Sequence, residues 1–180
     1  QAFQQRPVIT NLYMESINGG ITIGLDCFIK ASINNVTLLA NLEVNIEQQA
    51  MQQVDNFETL YVETNGNFIS GLTAFIASTI QTFEIHSGGN VSFLQQSFQE
   101  TKKLANFSVY ANDTIDFGHS SFIQSTVNSM YLSSNGPIYF GQQAFQECKE
   151  LTSVVIDSPA NVTFGNSCFI SSQIEKLNIS

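Results

Sequence analysis

Eight stretches of the chain alternate apolar and polar residues with a period of two, the apolar pairs being Leu12/Met14, Val36/Leu38, Leu60/Val62, Phe83/Ile85, Phe107/Val109, Met130/Leu132, Val154/Ile156 and Leu177/Ile179. A further apolar anchor stands three positions ahead of each pair, at Ile9, Ile33, Phe57, Ile80, Leu104, Val127, Leu151 and Ile174. Such alternation predicts strands with one buried face. Turn-forming clusters follow, among them Ser87-Gly88-Gly89-Asn90, Ser134-Asn135-Gly136-Pro137 and Ser158-Pro159-Ala160-Asn161. A second, shorter alternating run comes next: Ile21/Ile23, Val44/Ile46, Val91/Phe93, Ile115/Phe117, Ile138/Phe140 and Val162/Phe164, with Phe68/Ser70 as its weakest copy. Gly24, Gly71, Gly118, Gly141 and Gly165 close five of these runs.

Between the short run and the next anchor lies a small residue followed by a bulky one: Ala2-Phe3, Cys27-Phe28, Ala50-Met51, Ala74-Phe75, Ser97-Phe98, Ser121-Phe122, Ala144-Phe145 and Cys168-Phe169. The bulky residues are 25, 23, 24, 23, 24, 23 and 24 positions apart. A fixed period in that range marks a solenoid, in which each coil buries its apolar face only by stacking on its neighbours. The fold class expected is therefore a β-rich solenoid of eight coils, with parallel strands on two faces and a tight or helical turn returning the chain. Two coil subtypes alternate: the anchor lies six residues past the bulky residue in the long form and five in the short form, so the repeating cassette spans 47 residues, or 48 at the first long-form step. Equivalent Phe residues should stack about 4.8 Å apart as an internal spine, each buried ring contributing roughly 1.5–3 kcal/mol.

One motif copy carries a resemblance. Phe140-Gly141, two variable residues, Ala144-Phe145, two variable residues, Cys148, and then Leu151 and a strand through Val154 and Ile156 resemble the BspA-like leucine-rich repeat. Only Cys148 fills that family's cysteine position, but the apolar positions agree in register along all of residues 1–180. The resemblance implies a leucine-rich-repeat solenoid without catalytic activity, secreted or displayed on the surface of a bacterium or a protist, and used in adhesion and in contact with host or matrix.

Charge narrows the partners. Fifteen acidic and 6 basic residues give a formal charge of -9, which argues against nucleic acid and anionic membrane surfaces, where Lys and Arg must displace counterions. Alternation places Tyr13, Glu15, Tyr61, Glu63, Glu84, His86, Tyr110, Tyr131 and Asp157 on the outward side of the long strands, and these are the candidate binding residues. Tyrosines beside carboxylates suit a protein or carbohydrate ligand, because the ring offers apolar area with a polar tip. Tyr61, Glu63, Glu84, His86 and Tyr110 form the densest group. Glu63, Glu84 and His86 also raise the question of a polysaccharide-cleaving site, but no second basic residue stands there to stabilise developing negative charge, the one arginine, Arg6, lies elsewhere, and no catalytic residue is expected.

Cys27 and Cys168 occupy the small-residue position, where Ala and Ser stand elsewhere, and read as buried thiols. No ligand spacing supports a metal site, and no cofactor is expected. Asn35, Asn90, Asn106, Asn112, Asn161 and Asn178 head Asn-X-Ser/Thr sequons and are candidate glycosylation sites. The chain reads as a single array over residues 1–180, an uncapped segment of a longer solenoid. The function expected is extracellular or cell-surface contact; the alternative is a structural filament in which copies of the chain stack on one another.

Overall fold

The computed structural model describes residues 8–180 as a parallel β-solenoid. Long and short strands alternate in chain order: β1 (Val8–Ser16), β2 (Ile21–Ile23), β3 (Ser32–Ala40), β4 (Val44–Ile46) and β5 (Thr59–Thr64). They continue as β6 (Phe68–Ser70), β7 (Thr82–Ser87), β8 (Val91–Phe93), β9 (Asn106–Ala111) and β10 (Ile115–Phe117). The last are β11 (Ser129–Ser134), β12 (Ile138–Phe140), β13 (Ser153–Asp157), β14 (Val162–Phe164) and β15 (Lys176–Ile179). Odd-numbered strands form an 8-stranded parallel sheet and even-numbered strands a 7-stranded one, each in sequence order. Ala2-Phe3 and Arg6 lie outside the described residues; every other small-bulky pair falls at the same station of its coil.

Inward residues of both sheets meet in one continuous core. Three columns of rings run through it. Phe75, Phe98, Phe122, Phe145 and Phe169 stack with centroids 4.9, 4.7, 5.0 and 5.3 Å apart and planes within 18° of parallel. Phe93, Phe117, Phe140 and Phe164 do the same at 5.0, 5.1 and 4.9 Å. Phe83 and Phe107 make the third, at 4.9 Å. Between columns the rings meet tilted or edge to face, as where Phe83 and Phe98 cross at 90°. Both arrangements suit the aromatic quadrupole and add to the gain from burial. Leu177 and Ile179 of β15, the outermost strand of its sheet, are 45% and 51% exposed and so depart from the expected burial.

The return segment contains no helix among the described residues. Instead each coil makes two successive turns, with a non-glycine residue in the left-handed region at the third position of each. Gln96 (φ 58°) and Glu100 (φ 57°) are one such pair. The turns are closed by Ser97 N–H donating to the Leu94 carbonyl and Thr101 N–H to the Phe98 carbonyl, both at 3.3 Å. Between them the Phe98 N–H donates to the Ser121 carbonyl of the next coil at 2.7 Å. The return side thus carries its own inter-coil bonds, which help offset the left-handed strain.

A hydroxyl fixes four of the corners where a long strand ends. Ser87 Oγ donates to the Gly66 carbonyl of the coil below (2.8 Å) and accepts from the Gly89 N–H (3.3 Å). Ser158 repeats the pair of bonds, to Gly136 and from Ala160. Thr64 and Ser134 bond likewise to the carbonyls of Leu42 and Asp113 and accept from Gly66 and Gly136. Local hydroxyl bonds of this kind hold the chain in a turn.

Candidate recognition face

Alternation along β5, β7, β9 and β11 sends every second side chain out of the sheet, and the parallel register sets those side chains beside one another. Tyr61 pairs with Glu84 and Glu63 with His86; Glu84 then pairs with Ser108 and His86 with Tyr110. Ser108 pairs in turn with Tyr131, and Tyr110 with Ser133. Tyr61, His86, Tyr110 and Tyr131 form a row across four strands, with ring centroids 5.7, 4.5 and 5.4 Å apart. The central pair is stacked, with planes 6° apart.

The carboxylates tie into this row. Tyr61 donates its hydroxyl to Glu63 Oε2 at 3.1 Å, and His86 Nε2 lies 2.7 Å from Glu84 Oε1. The His86 and Glu84 side chains are 40% and 41% exposed, so the contact faces solvent. Partial burial raises the Tyr61 hydroxyl above its ordinary pKa, and its bond to Glu63 adds to the effect. Burial also raises Tyr110, with the Glu84 charge second. Both phenols therefore stay protonated donors at neutral pH. A shallow depression borders the row, lined by His86, Tyr110, Asn112, Ser133 and Asn135 among others.

The face thus gathers Tyr61, Glu63, Glu84, His86, Tyr110 and Tyr131, and leaves three candidates apart. Tyr13 and Glu15 on β1 form an exposed hydroxyl–carboxylate bond of 2.8 Å that raises the Tyr13 pKa, but β3 separates them from Tyr61. Asp157 ends β13, beside Ser133. The face-to-face packing of His86 on Tyr110 was not legible in the sequence, since alternation gives the side of the sheet and not the rotamer. Alternation already sets Ser133 on the outward side, level with Tyr110, whereas nothing in the sequence places Asn112 and Asn135 at the margin of the row.

Among the sequons, Asn90, Asn106, Asn112, Asn161 and Asn178 are exposed and Asn35 is half-buried. Asn35 Nδ2 donates to Asn11 Oδ1 while its Oδ1 accepts from the Thr59 hydroxyl, so its amide belongs to an inter-coil ladder. Asn90 Oδ1 accepts from the Thr114 N–H, and Asn112 Oδ1 from Asn135 Nδ2. No group of His, Cys, Asp and Glu suited to a metal ion exists among the described residues. Cys148 and Cys168 are buried free thiols, each pushed by desolvation up to about 12; Cys27, expected to be buried, is only half-buried, although Phe28 beside it is in the core.

The profile of the BspA type leucine-rich repeat region, built on six copies, matches residues 1–108 and 70–180. The chain belongs to the BspA type leucine-rich-repeat family. No curated protein and no solved structure matches it. BspA-type repeats are often surface-associated, mediate protein interactions and are generally non-catalytic. Within this BspA-type array, Cys148 is a core residue: its Sγ donates to the Phe122 carbonyl at 2.9 Å, in the buried column where Ser125 and Thr101 bond to each other at 2.5 Å. No described helix is long and apolar enough to cross a membrane.

Proposed function

We propose that this BspA-type chain acts by contact at an extracellular or cell surface, and that the long-strand sheet is its recognition face for a protein or carbohydrate ligand. The unbroken row of four rings carries the reading, bracketed by Glu63 and Glu84 on a sheet whose other outward positions are mostly Ser, Thr and Asn. Exposed aromatic groups with polar tips give contact area at low conformational cost, and a parallel sheet holds them rigidly. The exposed sequons support passage through a eukaryotic secretory route, in which a glycosidase-sensitive mass on the native protein is expected.

The test is binding of the wild-type chain and of a Tyr61→Ala/Tyr110→Ala variant to arrays of peptides and oligosaccharides. Loss of at least about tenfold in affinity with an unchanged circular dichroism spectrum is expected, since aromatic anchors dominate contact energies. Binding indifferent to both substitutions overturns the proposal.

A further inference from the structure

We infer that the ring row receives a basic polypeptide segment, whose Arg or Lys side chains lodge against Glu63 and Glu84; this deepens, and rests on, the recognition face proposed above. The His86 and Tyr110 centroids are 4.5 Å apart with planes 6° from parallel, close to the spacing of neighbouring strands. The two rings therefore turn their faces towards each other along the coil axis and their edges towards solvent. A pyranose packs its C–H groups on an open aromatic face, where the quadrupole is negative. Between His86 and Tyr110 that face is taken, which leaves only the tilted rings of Tyr61 and Tyr131 at the two ends of the row.

What the row does offer is carboxylate. Glu63 uses Oε2 to accept from Tyr61, and Glu84 sets Oε1 against His86. The second oxygen of each has no protein hydrogen-bond partner among the described residues, and an ionised carboxylate accepts several bonds at once. A guanidinium could bond there while lying over Tyr61 or Tyr131, each of which is tilted by more than 40° from the next ring in the row. Apart from His86 beside Glu84, little among the described residues balances this charge. Lys30, Lys102, Lys103 and Lys149 all lie outside the long strands, whereas Glu15, Glu63, Glu84 and Asp157 lie on them, with Lys176 the one described lysine in that sheet. The field over the face attracts cations and repels anionic glycans.

The experiment measures affinity of the 180-residue chain for an Arg/Lys-rich peptide, for its twin with Gln at each basic position, and for neutral and anionic oligosaccharides. Binding of the basic peptide alone is expected, weakening as NaCl rises. Glu63→Gln/Glu84→Gln should reduce its affinity roughly tenfold, while Glu43→Gln/Glu150→Gln, at exposed carboxylates off the sheet, should change it by less than about twofold. Equal losses in the two double variants, or none in either, overturn the basic partner. Oligosaccharide or Gln-twin binding that Tyr61→Ala/Tyr110→Ala abolishes overturns it too, but leaves the recognition face standing. If nothing binds in a way that these face substitutions alter, both fall.

Discussion

At Gly141 a Cβ would come within 2.6 Å of the Gly118 carbonyl carbon in the coil below, and at Gly165 within 2.6 Å of the Gln142 nitrogen. No glycine has a positive φ, so these positions need glycine for closeness of approach and not for backbone freedom. Gly141→Ala is therefore expected to destabilise the chain by about 1–3 kcal/mol in chemical denaturation, because backbone must move. Gly24 offers the contrast: its nearest would-be contact is a Glu47 carboxylate oxygen at 3.8 Å, and Gly24→Ala should fall within about 0.5 kcal/mol of the parent. The thiols give a pH dependence. Burial raises Cys148 and Cys168 to about 12 in the fold, so the unfolded chain loses its thiol protons first as pH rises. Their contribution to stability is complete below the ordinary thiol range of about 8.5 and is lost as pH climbs from there towards the folded value. A falling melting temperature across that window, shallower in Cys148→Ser/Cys168→Ser, where only Cys27 and the raised tyrosines remain to contribute, is the expected result.

Strands were legible because a buried face leaves a period of two, and even the weakest copy, Phe68/Ser70, is a strand, β6. The return side was not. Left-handed residues are normally announced by glycine or asparagine, but here they are Asp26, Lys30, Gln49, Gln53, Thr73, Ala77 and their counterparts, held by bonds to the next coil. Ala77, at φ 54°, makes this testable: Ala77→Gly removes the Cβ strain and should leave stability unchanged or raise it by up to about 1 kcal/mol, where glycine ordinarily lowers it. The corner hydroxyls escaped notice for a related reason, since Ser and Thr in a polar turn look like solvent-facing filler. Ser87 is in fact buried, and Ser87→Ala would leave the Gly66 carbonyl one bond short and the Gly89 N–H without its hydroxyl acceptor. A loss of about 1–2 kcal/mol is expected. On the face that carries the ring row, alternation alone tells which residues point outward, because the anchor and the apolar pair after it keep the same spacing in every coil. It could not reveal that His86 and Tyr110 stack, which depends on how neighbouring side chains crowd.

Because each coil touches only its neighbours, stability across the whole molecule is a sum of coil terms and interface terms, and a lesion acts according to how many interfaces it reaches. Phe98 touches Phe83 and Phe93 of its own coil, Phe75 of the coil below, and Phe107 and Phe122 of the coil above. Phe169 touches Phe140 and Phe145 below and Phe164 beside it. Phe98→Ala removes roughly 3–5 kcal/mol locally, and Phe169→Ala, at a half-buried ring, less. At Phe98 the loss falls on two interfaces in mid-array and should uncouple the halves, so that amide exchange quickens from β6 to β10 and denaturation broadens or splits into two steps. At Phe169 the quickening should stay within β13 to β15, and the transition of the rest should hold its midpoint. Exchange that quickens uniformly along the chain in both variants would mean a single cooperative unit, and nearest-neighbour stacking would no longer account for how this solenoid holds its ring row rigid.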